Sequence, residues 1–276
     1  MGIREALQGV RERIEKAAAG AGRKSGDITL MGVSKFHGID AVREAFENGL
    51  RLFGESRVQE AGEKFPSFLD SHPEAVLHMI GRLQRNKAKA ALDIFHCIQS
   101  LDRDEIIDAL GKAAADLENA NAPDGPKIAD AKADLENANA PTDLENVNVP
   151  GGPKIVGTPG AKAGTLFPVL LELHTAEDSK SGYPDLDALL RGAEKIAAYP
   201  GLTLAGLMTL APFTGDKKAV RASFRSLYQA GEELVRRGFL KNPVLSMGMS
   251  GDFEIAIEEG STLIRIGSLI FGERTP

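Results

Sequence analysis

The stretch Thr29-Leu-Met-Gly-Val-Ser-Lys35 is a short, mostly apolar run that ends in a lysine, and a glycine-containing turn and an amphipathic segment follow it. Apolar runs of this length, bounded by a turn, are typical of a buried strand in a parallel sheet. Lys35 would then stand at the carboxyl end of the strand, where α/β barrels keep their functional groups. Two interpretations of Lys35 are open. It is either a solvated surface residue or an amine nucleophile, able to form a Schiff base with an aldehyde because partial enclosure disfavours the ammonium.

The rest of the chain continues this alternation of strands and helices, after a leading helix predicted over residues 3–19. The predicted strands are 29–34, 51–54, 76–81, 94–99, 167–174, 203–211, 243–248 and 262–267. The predicted helices between them are 39–48, 57–65, 84–92, 103–114, 185–198, 217–237 and 252–259. Eight such repeats predict a TIM-type (β/α)8 barrel with a parallel sheet. An open doubly wound sheet shares the local pattern, but no G-x-G-x-x-G turn follows the first strand, which disfavours its dinucleotide-binding form.

Residues 116–160 interrupt the alternation with five nine-residue units. Three units begin Asp-Leu-Glu-Asn and two contain Gly-Pro-Lys-Ile, and none has the Gly-Gly-x-Gly-x-Asp pattern of calcium-binding arrays. Each unit carries a proline and few large apolar residues, too few to offset the entropy lost on ordering. We therefore predict one barrel domain over 1–276, with a low-complexity surface insertion at 116–160 that is disordered.

Composition narrows the function classes. The net charge of −6 disfavours a broad nucleic-acid-binding face, and no apolar run is long enough to span a membrane. One cysteine, Cys97, excludes an internal disulfide and fits a reducing compartment. The five histidines show no metal-ligand spacing. These features predict a cytoplasmic protein with no nucleic-acid, membrane or metal partner.

Two stretches near the start of the predicted barrel contain candidate site residues. Ser56, in Phe53-Gly-Glu-Ser-Arg-Val-Gln-Glu60, follows the second strand and would either line the barrel mouth beside Glu55 or cap the next helix. His78 lies inside the third strand and is either a core histidine or a functional one. Asn86 and Lys87 would lie early in the next helix, in contact with an anion or with solvent.

Two stretches near the end of the chain suggest an anion site. Ser246-Met-Gly-Met-Ser-Gly-Asp-Phe253 runs from a strand through small residues into a helix, and Ser250 lies in the turn. The backbone N–H groups of this turn either bind an anion or belong to a capped helix start without a ligand. The spacing around Ser250 misses the G-x-S-x-G elbow of serine hydrolases. Arg265 interrupts an apolar strand and needs a partner, an internal carboxylate or a ligand, and Gly267 and Ser268 follow it as hydrogen-bond donors. Since barrels frequently bind phosphate after strands seven and eight, a phosphorylated ligand is predicted.

A lysine after strand one and a phosphate site after strands seven and eight together suggest pyridoxal 5′-phosphate, whose aldehyde, ring and phosphate need separate anchors. The sequence resembles the pyridoxal phosphate homeostasis proteins, single-domain relatives of the alanine racemase N-terminal barrel. The motifs that carry the resemblance cover nearly the whole chain outside 116–160: Val33-Ser-Lys35, Phe53-Gly-Glu-Ser-Arg-Val-Gln-Glu60, His78-Met-Ile-Gly-Arg-Leu-Gln-Arg-Asn-Lys87, Ser179-Lys-Ser-Gly182, Gly206-Leu-Met208, Leu245-Ser-Met-Gly-Met-Ser250 and Ile264-Arg-Ile-Gly-Ser268.

The resemblance implies a role for each candidate residue. Lys35 would hold the cofactor as an internal aldimine, and Arg265 would face the pyridine nitrogen, which weakens the ring as an electron sink. The phosphate would be bound by Ser250, Gly267 and Ser268, and further cofactor contacts are predicted from Ser56 and His78. The chain departs from the family where Ser56 and Arg57 replace the usual Asn-Tyr and where Arg82 and Arg85 replace proline and serine.

Two functions fit this resemblance. A carrier would bind pyridoxal phosphate in vitamin B6 homeostasis without turnover, and would either store the cofactor or deliver it to apo-enzymes. A racemase would need a second base opposite Lys35, which the two-domain racemases take from a tyrosine of a β-rich second domain. The chain stops at Pro276 without a corresponding domain, and of its three tyrosines only Tyr183 is expected near the barrel mouth. We therefore expect a monomeric carrier.

Overall fold

The structure, a computed structural model, describes residues 2–121, 166–176 and 181–273. Within these residues eight parallel strands close into a barrel in chain order, and β8 pairs with β1. The strands are β1 Thr29–Val33, β2 Leu52–Glu55, β3 Val76–Met79, β4 Cys97–Leu101, β5 Phe167–Glu172, β6 Leu202–Met208, β7 Val244–Ser246 and β8 Leu263–Ile266. The TIM-type barrel predicted from the alternation is confirmed, and the open sheet is excluded.

Helices connect the strands and surround the barrel. Those of the described chain are α1 Ile3–Gly20, α2 Ile39–Glu47, α3 Val58–Lys64, α4 Pro66–Ser71, α5 Ala88–Ile94, α6 Asp104–Asn121, α7 Leu186–Ala197, α8 Lys217–Arg236, α9 Phe253–Glu258 and α10 Ser268–Phe271. Short 3-10 helices occupy Ser25–Asp27 and Arg85–Lys87. Each strand thus delivers its last residue to the same end of the barrel, which positions the loops that carry the site.

Several element boundaries differ from the prediction. Helix α4 was missed because Pro66, which ends α3, also starts a new helix, and proline is well tolerated in a first turn. Strand β4 begins at Cys97 rather than 94, since α5 continues to Ile94. Helix α6 reaches Asn121, within the insertion predicted from 116, because no helix breaker occurs before Pro123. The rest of that insertion lies outside the described residues.

Two apolar clusters form the core. The larger packs the outer faces of the strands against the helices. The smaller takes one buried residue from each strand and so fills the barrel itself: Met31, Leu52, Val76, Cys97, Leu170, Met208, Val244 and Leu263. Among the described residues no helix is long and apolar enough to cross a membrane. Cys97 is a free thiol in this inner cluster.

Candidate functional site

A layer of polar side chains lies directly above the apolar filling of the barrel. Side chains two residues apart on a strand point the same way, so the residue two positions after each inner apolar residue also points inward, one step closer to the carboxyl end. On five strands this position is polar and buried, and the residues are His78, Gln99, Glu172, Ser246 and Arg265. The barrel interior therefore changes from apolar to polar just below its mouth.

Four members of this polar layer form one hydrogen-bonded chain across the barrel. Arg265 Nη1 donates to the hydroxyl of Ser246 at 2.6 Å, and that hydroxyl donates to Gln99 Oε1 at 2.7 Å. Gln99 Nε2 lies 2.8 Å from His78 Nδ1. Because the amide nitrogen can only donate, His78 Nδ1 accepts. The chain fixes the orientation of the arginine relative to three other strands.

The guanidinium of Arg265 is held by neutral groups. Its Nη1 also donates to the carbonyl oxygen of Ser246 at 2.7 Å, and Nη2 donates to that of Thr209 at 2.8 Å. The residue is 3% exposed, and burial lowers its pKa to about 10, while the charges of Asp252 and Glu172 act in the opposite direction. The partner predicted for this buried charge was a carboxylate or a ligand. Among the described residues no carboxylate bonds to it directly, and its partners are two carbonyls and a hydroxyl; the ligand partner stays a prediction.

A cleft of about 680 Å³ opens above the polar layer, and its walls come from the loops after most of the strands. Six of the seven predicted site residues line it: Lys35, Ser56, Ser250, Arg265, Gly267 and Ser268. The seventh, His78, is fully buried beneath the cleft and is hydrogen-bonded to Gln99, as the core-histidine interpretation describes. The structure thus brings the two ends of the sequence together around one cavity.

Glycines allow the turns around the cleft to pack closely. Gly248, after β7, has a φ of 97°, and a Cβ there would also overlap the side chain of Ala256. Gly81, after β3, packs so closely on the backbone of Ser56 that any side chain would overlap the Ser56 carbonyl. Ser56 does not cap α3, whose N-cap is Arg57, so the capping interpretation of Ser56 is wrong.

Lys35 is carried by a tight turn between β1 and α2. The N–H of His37 donates to the carbonyl of Ser34 at 3.1 Å, so Lys35 and Phe36 are the two central residues of a β-turn. Phe36 has a φ of 69°. Ser34 is fully buried, whereas Lys35 is half-buried and lines the cleft.

Two acidic residues of the cleft were not predicted. Glu172 is 3% exposed and accepts a hydrogen bond from the Ser181 hydroxyl at 2.6 Å. Asp252 accepts from the Met249 N–H at 2.6 Å. Burial raises the pKa of both carboxyls. The sequence contained a signal for Glu172, because it is the one charge in the apolar run of β5 and lies at its carboxyl end.

The other candidates of the sequence analysis lie away from the cleft. Asn86 and Lys87 are exposed in the 3-10 helix before α5. The hydroxyl of Tyr183 donates to Asp104 at 2.9 Å, and that of Tyr199 donates to Asp108 at 2.8 Å. Tyr228 lies on α8 and is 40% exposed. None of the three tyrosines of the sequence is among the described residues that line the cleft.

Comparison with known proteins gives the family. A family model described as the alanine racemase N-terminal domain matches residues 158–275. The pyridoxal phosphate homeostasis protein of Aquifex aeolicus is 35% identical over 270 residues, which are 98% of this chain and 97% of that protein. The chain belongs to this family. The pyridoxal phosphate homeostasis protein of Vibrio cholerae is 32% identical and is aligned over 99% of this chain and 96% of its own.

A solved structure agrees with this assignment to the pyridoxal phosphate homeostasis family. PipY of Synechococcus elongatus, determined with PLP bound, is 27% identical and has a TM-score of 0.71, over 98% of this chain and 100% of PipY. The resemblance inferred from the motifs is therefore confirmed at the level of family and fold.

Proposed function

We propose that this chain binds pyridoxal 5′-phosphate through a Schiff base with Lys35 and serves vitamin B6 homeostasis as a carrier. The observation that carries the proposal is the placement of an amine and an anion-binding turn in the wall of one cleft, after strands that are neighbours in the barrel. Lys35 follows β1, and Ser250, Gly267 and Ser268 follow β7 and β8. The names of the relatives and the PLP bound to PipY support the same ligand.

The chemistry of the lining fits this cofactor. The aldehyde needs a primary amine, which Lys35 supplies, and the phosphate needs hydroxyl and N–H donors, which the serines and glycines after β7 and β8 supply. A volume of about 680 Å³ lies in the range of small-molecule and cofactor sites. When bound, the cofactor supplies an electrophilic carbon and an electron-withdrawing ring.

Each residue then has a stated task. Lys35 forms the covalent bond, in which its nitrogen replaces the aldehyde oxygen and one water is released. We place the pyridine ring beside Arg265, whose positive charge disfavours a proton on the ring nitrogen. Ser56 adds a hydroxyl to the cleft wall, and His78 acts through Gln99 and Ser246 by holding Arg265 in place.

We favour a carrier over an amino acid racemase. Racemisation requires a proton donor and acceptor on each face of the reacting carbon, and the side chain opposite the lysine must reach that carbon. The hydroxyl of Tyr183, the nearest tyrosine in the prediction, is directed to Asp104, and burial raises its pKa. A buried tyrosine hydrogen-bonded to a carboxylate is poorly suited to act as a base.

The cellular setting is part of the proposal. We place the protein in the cytoplasm, where the free thiol of Cys97 would stay reduced, and we expect a monomer. Apo-enzymes that need the cofactor are the partners that a carrier implies.

An absorption experiment tests the binding site. Purified protein mixed with pyridoxal phosphate should show a Schiff-base band that borohydride removes while it fixes the label on the peptide containing Lys35. Lys35→Ala should lose the band, whereas Lys89→Ala, at an exposed position on α5, should keep it. A label on another lysine, or a band that survives Lys35→Ala, would contradict the proposal.

A stereochemical experiment separates the carrier from the racemase. The loaded protein is incubated with L-alanine in deuterated water. It should exchange the α-hydrogen of the alanine, and invert the configuration at the α-carbon, no faster than free pyridoxal phosphate does. Inversion above that rate which disappears in Lys35→Ala would favour the racemase. Transfer of the bound cofactor to an apo-enzyme, measured by the recovery of its activity, would separate delivery from storage.

A further inference from the structure

The turn that carries Lys35 has a backbone that its sequence does not favour. Its third residue, Phe36, has a φ of 69°. A positive φ at this place is the requirement of a type II turn, where glycine or asparagine is usual. A bulky residue adopts it only when the surroundings enforce it, at a cost of roughly 1–2 kcal/mol. Something outside the turn must therefore hold it.

Lys64, the last residue of α3, lies inside this turn. Its ammonium donates to the carbonyl oxygens of Ser34 and His37, each at 3.0 Å. These two carbonyls belong to the first and last residues of the turn, on either side of Lys35. The third contact of the ammonium is to Glu55 Oε1 at 2.6 Å. An ammonium has three N–H donors, so these three acceptors use all of them.

Two carboxylates complete the arrangement. Glu60, one turn before Lys64 on α3, accepts the N–H of Phe36 at 2.8 Å and lies 3.7 Å from the Lys64 ammonium. Glu55, at the end of β2, accepts the hydroxyl of Ser34 at 2.7 Å. The backbone of the turn is thus bonded at Ser34, Phe36 and His37, and Lys35 lines the cleft between these fixed points.

We propose that Lys64 is the positioning residue for the Lys35 amine. With Glu60 it holds the left-handed backbone of Phe36 and so fixes the direction in which Lys35 enters the cleft. The inference rests on the proposed function, because it concerns the geometry with which the amine meets an aldehyde. Lys64 itself is not a second Schiff-base lysine, since its side chain is 9% exposed and its donors are used within the protein.

The test removes the bonds of the Lys64 ammonium to the turn without leaving an unpaired buried charge. Lys64→Met alone would leave the buried Glu55 carboxylate without its cation. The variant of choice is therefore Glu55→Gln/Lys64→Met, in which both partners become neutral and keep their side-chain lengths. The matched control is Glu12→Gln/Lys16→Met, the same change at two exposed positions of α1. Both variants are studied well below their unfolding temperatures, after circular dichroism confirms the fold.

The readouts are the rate constant of Schiff-base formation with pyridoxal phosphate and the pH at which the absorption band of that bond shifts. We expect the Glu55→Gln/Lys64→Met protein to react roughly ten- to a hundred-fold more slowly, as misplacement by about 1 Å allows, and the control to react like wild type. Adding Phe36→Gly should restore much of the rate, because glycine adopts the left-handed conformation without a tether. A merely structural Lys64 would change thermal stability but not this rate.

The outcomes separate the inference from the proposed function. If wild-type protein forms no Schiff base, or forms it in Lys35→Ala, the proposed function fails. If wild type reacts normally and the Glu55→Gln/Lys64→Met protein reacts at the same rate, only the role of Lys64 is contradicted. A slow rate that Phe36→Gly does not relieve would also contradict it, because the effect would then not pass through the turn.

Discussion

Lys64 and Arg265 are two cations that the barrel removes almost completely from water, and they differ in the groups that contact their charges. The Lys64 ammonium contacts the carboxylate of Glu55 at 2.6 Å; the Glu55 side chain is fully buried and that of Lys64 is 9% exposed. The hydrogen bonds of Arg265 run to two carbonyls and a hydroxyl, which carry no net charge. The charge of Lys64 is neutralised by a carboxylate of the protein, whereas the charge of Arg265 is stabilised by dipoles.

The difference matches their positions. Lys64 lies behind the turn of Lys35, where an uncancelled charge would have no use and would be costly. Arg265 forms part of the cleft wall, where its charge is available to a ligand. Glu172 and Asp252 moderate the field of Arg265 from the same cleft. The contrast teaches that a buried charge without a contacting counter-ion marks the place where an outside partner is expected.

The largest effect on stability should come from Lys64→Met. The substitution leaves the Glu55 carboxylate buried without its cation, and we expect the free energy of unfolding to fall by about 3–5 kcal/mol. Urea denaturation followed by circular dichroism measures the loss. Glu55→Gln/Lys64→Met should recover most of it. An equal loss in the single and double variants would show that the carboxylate is not the reason.

Arg265→Met should reduce the free energy of unfolding less than Lys64→Met does, and should reduce the affinity for pyridoxal phosphate more. Its partners are neutral, and the Ser246 carbonyl keeps the Thr209 N–H as a donor, so the loss comes mainly from the Thr209 carbonyl and the Ser246 hydroxyl, about 1–3 kcal/mol in total. Affinity for pyridoxal phosphate, measured by equilibrium dialysis, should fall about ten-fold or more because a charge-assisted contact is lost. Arg265→Lys, which keeps the charge without the planar fork, should bind with intermediate affinity. Unchanged affinity in Arg265→Met would contradict the inference that the charge of Arg265 is available to a ligand.

The sequence predicted one of these two cations and missed the other, for a physical reason. Arg265 was recognisable because a charge inside an apolar strand needs an explanation. Lys64 is the last residue of an amphipathic helix, where a lysine is ordinary. Only the packing of α3 against the turn after β1 shows that its ammonium lies between Ser34 and His37.

The fold was easier to predict than the interior of the site. Eight apolar runs, each followed by a helical pattern, constrain the barrel strongly, and residues next to strand ends, such as Lys35 and Ser268, then fall at one mouth. The polar layer was not predictable in this way. Which strand residues point inward depends on register, and the contact of Gln99 with Ser246 joins strands that are 147 residues apart in the sequence.

A smaller effect on stability is expected when the hydrogen bonds that link Arg265, Ser246, Gln99 and His78 are interrupted at Ser246. Ser246→Ala removes the hydroxyl that accepts from Arg265 Nη1 and donates to Gln99, and we expect a loss of about 1–2 kcal/mol in unfolding free energy. Arg265 keeps its bonds to the Ser246 and Thr209 carbonyls, so the fold should persist. Ser226→Ala, an exposed serine on α8, is the control. Affinity for pyridoxal phosphate that falls as far as in Arg265→Met would show that orientation, rather than charge, decides binding.

The smallest effect, and one of opposite sign, should come from Glu172→Gln. Burial raises the pKa of Glu172, so the folded protein holds this proton more readily than the unfolded chain, and the ionised carboxylate reduces stability as pH rises through the folded pKa. The amide has no such cost and can still accept from Ser181. The variant should therefore be slightly more stable than wild type near pH 8, and this advantage should vanish as pH is lowered below the ordinary glutamate range, where Glu172 is neutral in both states. Denaturation midpoints across this pH range measure it. An advantage that grows on acidification would contradict the reasoning. Glu55→Gln, which removes the carboxylate in contact with the Lys64 ammonium, should instead be destabilising near pH 8.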